Sequence, residues 1–184
     1  MNTYIFIYDG FAQFEVILAS YLLKTKSNIV TVGVDGSQIE SCEGFKTIPH
    51  KILKEIKPED VDIFIIPGGD PDKIHKKEEL YELLGKLNNN KCKIGAICSG
   101  IIHFLKSGVL GDKKYTTSIN INEHKKFIKS NFIDMNVVSD DNLITAKANG
   151  YVDFALEIGK IMGIYSSDDD YNETVNFFKY FKYE

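Results

Sequence analysis

Short apolar, β-branched runs alternate along the chain with longer amphipathic ones, and this alternation predicts βα units around a mostly parallel sheet. Thr3–Tyr8, Asn28–Val34, Val61–Ile66 and Lys91–Ile97 have strand character. Val61–Ile66 is apolar throughout except at Asp62, and it stops abruptly at Pro67-Gly68-Gly69. Phe11–Lys24 and Glu78–Asn90 have helical character, the second through Leu80, Leu83, Leu84 and Leu87 at turn spacing. Ser37–Thr47, after the turn Asp35-Gly36-Ser37, is mixed and fits a hairpin or an edge excursion. Further along, the pattern predicts a helix over Ser99–Lys106, a turn over Gly108–Asp112, a short strand over Lys113–Thr117 and a helix over Asn120–Ser130. Strands over Ile133–Val138 and Leu143–Ala146 follow, then a helix over Gly150–Met162. Asp168–Tyr183 reads as a closing helix whose first-turn acids suit its dipole.

Length and charge narrow the functional classes. At 184 residues the chain fits one domain, taken as residues 1–184. Its 22 basic residues are all Lys and are outnumbered by 26 acids, for a net charge of −4. The basic excess that binds nucleic acid or an anionic membrane surface is missing, so neither is an expected partner. Without Arg there is no planar fork for bidentate recognition, which disfavours strongly anionic substrates. The opening MNTYIFIYDG lacks a basic n-region and reads as a strand, and no run approaches the ~18 apolar residues of a membrane span. Cys42, Cys92 and Cys98 form an odd set without CxxC spacing, which argues against a disulfide framework and a zinc site and points to a reducing cytoplasm.

The chemistry centres on Gly95-Ala96-Ile97-Cys98-Ser99-Gly100-Ile101, a cysteine between an apolar strand and an apolar helix with small residues two before and two after it. That is the layout of a nucleophile elbow with sulfur in place of oxygen. Near a helix N-terminus, Cys98 is expected to have a lowered pKa. The alternative is a buried structural cysteine, the reading that Cys42 and Cys92 take by default. Pro67-Gly68-Gly69-Asp70 ends another strand and can bring a backbone N–H toward that of Ser99, two donors that would make an oxyanion hole; alone, the run is an ordinary turn. Glu15, in Phe14-Glu15-Val16-Ile17-Leu18, has no neighbouring charge in sequence. On the apolar face of its helix it would be desolvated and protonated, able to donate to a thiolate and move a proton; on the other face it is a solvated Glu. Of His50, His75, His103 and His124, His103 is nearest the elbow, and helix geometry points it away from Cys98. Lys76-Lys77, Lys125-Lys126 and Asp168–Asp170 read as solvated faces and helix ends, while Phe177, Phe178, Tyr180, Phe181 and Tyr183 could cover the sheet or a second copy.

These motifs together resemble the DJ-1/PfpI family: AICSG after a strand, the PGG turn, the early-helix Glu15, Gly108-Val109-Leu110-Gly111 leading to Tyr115-Thr116-Thr117-Ser118, and Leu143–Ala146 with Gly150 and Phe154-Ala155-Leu156. The resemblance runs from Tyr4 to about Met162. It implies a flavodoxin-like α/β three-layer sandwich of the class I glutamine amidotransferase type, a homodimer, and chemistry without metal or organic cofactor. It assigns the reactive cysteine to Cys98, the acidic partner to Glu15 and the backbone donors to Gly69 and Ser99. Ser99 and Ser118 stand where relatives can carry His, and the late His-x-Glu of amidotransferases is absent, which speaks against protease and amidotransferase activity. Cysteine, hydroxyl neighbour and helix-one acid are nearer the isonitrile hydratase branch, which usually has Asp and Thr where this chain has Glu15 and Ser99. The expected activity is cofactor-free attack by Cys98 on a small electrophile, an isocyanide or a reactive carbonyl, with Glu15 shuttling the proton. The alternative is a non-enzymatic redox sensor or stress-protective protein in which the same cysteine is oxidised.

Overall fold

The computed structural model describes residues 1–75, 77–124 and 127–183. Its strands are β1 (Asn2–Phe6), β2 (Asn28–Gly33), β3 (Ile39–Glu40), β4 (Lys46–Thr47), β5 (Lys51–Ile52), β6 (Ile63–Ile66), β7 (Lys93–Ile97), β8 (Val137–Asp140) and β9 (Leu143–Ala146). Seven of them form one sheet in the order β5-β2-β1-β6-β7-β9-β8, and β3 pairs with β4 as a separate antiparallel hairpin. All neighbours in the large sheet run parallel except β8 and β9. A parallel strand is covered on both faces, which is why Ile63, Phe64, Ile65 and Ile66 form an unbroken apolar run and are all fully buried. Burying each such side chain contributes about 1.5–3 kcal/mol.

The helices are α1 (Phe14–Leu23), α2 (Lys77–Asn89), α3 (Ile101–Ser107), α4 (Tyr151–Ile161) and α5 (Asp168–Tyr180). α1 packs on α4 and α2 on α3, one pair on each face of a three-layer, flavodoxin-like sandwich, with α5 laid over α4. The hydroxyl of Ser167 caps α5 by accepting from the Asp170 N–H, ahead of the three acids of the first turn.

The principal strands and the long helices lie where the hydrophobic pattern places them, within a few residues. Two expectations fail locally, and one short strand carries no signal in the pattern. The segment around Lys113–Thr117 makes only an isolated parallel bridge between Tyr115 and Phe132, because the Thr116 N–H donates to the Thr145 hydroxyl and so leaves the backbone ladder. Instead of a helix over Asn120–Ser130, the described residues form two 3₁₀ turns, Ile121–Glu123 and Lys129–Asn131. The Asn120 carboxamide closes the first by accepting from the Asn122 N–H, and Phe127 leaves helical spacing to stack on Tyr115. The edge strand β5 has only two residues, too few for periodicity to reveal. The lysines expected on solvated faces at 76, 125 and 126 lie outside the described residues.

Candidate active site

From β1 the chain passes to β2 on one side, while β6 pairs with β1 on the other, so the topological switch point falls between β1 and β6. In open α/β sheets ligands bind there, outside the carboxyl ends of the strands. β6 ends into Pro67-Gly68-Gly69, β7 ends into Cys98, and α1 begins beside both.

Cys98 has φ of 57°, the left-handed region that a non-glycine side chain adopts at a cost of about 1–3 kcal/mol. Its backbone opens a 3₁₀ turn, Cys98–Gly100, that leads into α3. Gly100 lets this turn approach β6, since a Cβ there would lie 2.6 Å from the Ile66 carbonyl oxygen. The Cys98 carbonyl is held by the Thr117 hydroxyl at 2.9 Å, a support that the sequence pattern did not assign. The side chain of Cys98 is partly exposed.

Glu15 lies on the buried face of α1, 2% exposed, and its Oε2 accepts the Gly68 N–H at 2.6 Å. Gly68 separates the two functional side chains: a Cβ on it would stand 2.7 Å from Cys98 Cβ, 3.0 Å from Cys98 Sγ and 2.7 Å from Glu15 Oε2. Ser99 Oγ accepts the Gly69 N–H at 3.0 Å and donates to the Gly69 carbonyl at 2.8 Å. The Gly69 N–H thus reaches the elbow, where the serine hydroxyl takes it up. Glu43, on the β3–β4 hairpin, receives the Gln13 and Phe14 N–H groups and so caps α1 next to Glu15. That cap is long-range in sequence and leaves no local signal.

The acid–thiol pair has unusual electrostatics. Burial raises the Glu15 pKa above the ordinary carboxyl value, opposed by its hydrogen bonds with Gly68 and Cys98. The Cys98 thiol is pushed up to about 11, first by burial and then by the negative charge of Glu15, against hydrogen bonds from the Ser99 backbone and side chain. This corrects the expectation of a lowered thiol value. A three-residue 3₁₀ turn before a seven-residue helix offers little dipole, and the adjacent carboxylate outweighs it. The two groups therefore titrate as a pair. The first proton leaves above the usual carboxyl range, and the second is held up to about 11.

Because the folded pKa of Glu15 is raised, its contribution to stability is fully present below the ordinary carboxyl value and is lost as pH rises through the raised one. Glu15→Gln keeps an acceptor for Gly68 without the charge, so its melting temperature should exceed that of the wild type at neutral and alkaline pH. The difference should shrink as the pH falls. Thermal scans from pH 4 to 8 check this, at about 2–4 °C per kcal/mol for a chain of this size.

None of the four histidines hydrogen-bonds to Cys98. His50 engages Thr31, His75 pairs with Asp35 at 3.1 Å, and His124 packs edge-on against Phe127. His103 is fully buried beside Tyr81, with burial first among the causes holding its pKa down at about 4. The Ser118 hydroxyl accepts the Ala148 N–H. Cys42 and Cys92 donate to the carbonyls of Gly10 and Pro58. Among the described residues no cluster of three or more His, Cys, Asp or Glu could hold a metal ion, and no helix is long and apolar enough to cross a membrane.

A strained cysteine at a β–α elbow, backed by a buried carboxyl on the first helix of a flavodoxin-like sandwich, defines a class of thiol-centred α/β proteins. Within that class, the DJ-1/PfpI family model matches residues 1–161, and the chain belongs to this family. It is 25% identical over 152 residues to a deglycase of Thermococcus kodakarensis, covering 82% of this chain and 92% of the relative. A glutathione-independent glyoxalase of Caenorhabditis elegans is 29% identical over 149 residues, covering 79% and 80% of the two chains. In fold, a DJ-1 superfamily protein of Agrobacterium tumefaciens superposes with a TM-score of 0.86 at 24% identity, covering 99% of this chain and 100% of that one.

Proposed function

We propose that this protein is a cofactor-free enzyme in which Cys98 attacks a small neutral electrophile, with a reactive dicarbonyl such as methylglyoxal favoured over an isocyanide. The observation that carries the reading is the Cys98–Glu15 pair about Gly68, a partly exposed thiol and a buried carboxyl placed side by side. The names of the deglycase and glyoxalase relatives point to the carbonyl arm. In the reactive tautomer the proton sits on Glu15 and the charge on sulfur. Sulfur adds to the aldehyde carbon, the C=O electron pair moves to oxygen, and that oxygen takes the proton of Glu15. The Ser99 and Gly69 N–H groups stabilise the oxygen while its charge develops, once the Ser99 hydroxyl turns aside. Glu15, now a carboxylate, removes the C–H proton of the adduct and returns it to the neighbouring carbon while the hydroxyl proton passes from the first oxygen to the oxygen on that neighbouring carbon, leaving a thioester that water cleaves to hydroxyacid and free thiol.

Purified protein offered methylglyoxal or an isocyanide, with Cys98→Ser as control, tests the proposal. Turnover of the dicarbonyl that disappears in Cys98→Ser supports it. Selective addition of two oxygens to Cys98 by peroxide, without turnover of either substrate, replaces it with the redox-sensor reading.

The protein is further proposed to act as a homodimer in a reducing compartment. Phe14, Ile17 and Tyr21 form an outward stripe on α1, at 48–65% exposure, beside a groove of about 530 Å³ that Phe45, Phe177 and Phe178 also line. An apolar stripe of this kind marks an interaction face. Its one acid, Glu43, has its carboxylate turned onto the Gln13 and Phe14 backbone amides. Ile17→Glu should convert a dimer to a monomer in sedimentation velocity; a monomeric wild type contradicts the assignment.

A further inference from the structure

We propose that Tyr8 is a positioning residue: its hydroxyl locks the Gly68–Gly69 peptide so that the Gly69 N–H stays turned toward Ser99 and toward an oxyanion formed on the substrate. The inference rests on the reading that Gly69 serves as an oxyanion donor.

The carbonyl of Gly68 and the N–H of Gly69 belong to one planar unit and point in opposite directions. On the carbonyl side two donors converge, the Tyr8 hydroxyl at 2.9 Å and the Ala12 N–H at 2.9 Å. On the other side the N–H meets Ser99 Oγ at 3.0 Å. A glycine stands at each end of this peptide, and Gly69 has φ of 127°, so side-chain sterics alone do not choose its orientation. A flipped peptide would present a carbonyl oxygen where an oxyanion has to form. The donors on the Gly68 carbonyl resist that flip, and by polarising the peptide they also strengthen the N–H as a donor.

Tyr8 suits this role. It is 3% exposed, stacked on Phe6 with ring centroids 5.7 Å apart and tilted against Phe11 at 6.4 Å, so packing fixes its hydroxyl. Burial, with the charges of Glu15 and Cys98 behind it, pushes the phenol pKa up, and the group remains a donor through the working range. In the sequence it is only the last apolar residue of a first-strand pattern, which hides the role.

Tyr8→Phe keeps the ring and removes the donor. With methylglyoxal as substrate, kcat should fall about tenfold with KM within about twofold, less than the 10²–10³ that loss of an oxyanion donor itself costs. Alkylation of Cys98 by iodoacetamide displaces iodide and forms no oxyanion, so its rate and pH profile should stay within about twofold of wild type. Unchanged kcat, or a parallel fall in kcat and alkylation, overturns the proposal, the second because it reports general distortion. If wild-type protein does not turn over the dicarbonyl, the functional reading has failed and amide hydrogen exchange decides the positioning role separately. Exchange at the Gly69 N–H should then be at least about tenfold faster in Tyr8→Phe, and equal rates overturn the lock.

Discussion

Turnover of methylglyoxal should fall by about 10²–10⁴-fold when Glu15 is replaced by Gln, the range expected when a positioned general acid–base is removed. The variant preserves the shape of the site, because an amide oxygen can still accept the Gly68 N–H that Glu15 Oε2 receives at 2.6 Å. What it removes is the proton carrier and the charge. The Cys98 thiol should become easier to ionise, since the Glu15 charge is among the causes that push it up to about 11. A dead enzyme with a readily ionised thiol is the signature of a lost proton transfer. Steady-state kinetics beside thiol titration checks it, and near wild-type turnover removes Glu15 from the mechanism.

Gly68→Ala should produce the other large effect, by steric wedging alone. Gly68 does not have the positive φ of Gly69, so alanine meets no backbone penalty there. Its methyl group, however, would stand 2.7 Å from both Cys98 Cβ and Glu15 Oε2. The carboxyl end can swing away, but Cys98 Cβ is fixed to a strained backbone, so acid and thiol are forced apart. Overpacking of this kind costs about 1–3 kcal/mol, which for this chain size means a fall of several degrees in melting temperature. Because the pair no longer shares a proton, turnover should fall at least about 10²-fold. Calorimetry with kinetics tests this, and a variant of unchanged activity would show that the contact about Gly68 is not the reacting geometry.

The sequence exposed the parts of the site that are local in the chain. Cys98 between an apolar strand and helix, and Gly100 two residues on, constitute one short motif whose steric logic is complete in itself. Glu15 was visible as an unpaired acid in an apolar run, although only the packing of α1 decides that it faces Gly68 rather than solvent. Tyr8, Glu43 and Thr117 were invisible as site residues, because each acts through a hydrogen bond to backbone more than 15 positions away. The raised thiol pKa is hidden for the same reason: the helix terminus is written locally, whereas burial and the carboxylate charge come from elements far apart in sequence. Along the fold, the unbroken apolar run of β6 and the helical periodicity of α2 and α4 are enough for these elements to be recognised. Around Tyr115 and Phe127 a side-chain cluster overrides the local pattern, so turns and a single bridge stand where that pattern predicts a helix and a strand.

The central claim is that Cys98 and Glu15 form one coupled acid–base pair, and the pH dependence of Cys98 alkylation, followed by peptide mass spectrometry in wild type and Glu15→Gln, tests it most directly. The wild-type rate should rise in two steps, the first as the pair loses one proton and the second toward about 11. Glu15→Gln should show a single step at lower pH than the wild type's second. Superimposable profiles for the two proteins would mean that the thiol does not sense Glu15, and would contradict the account.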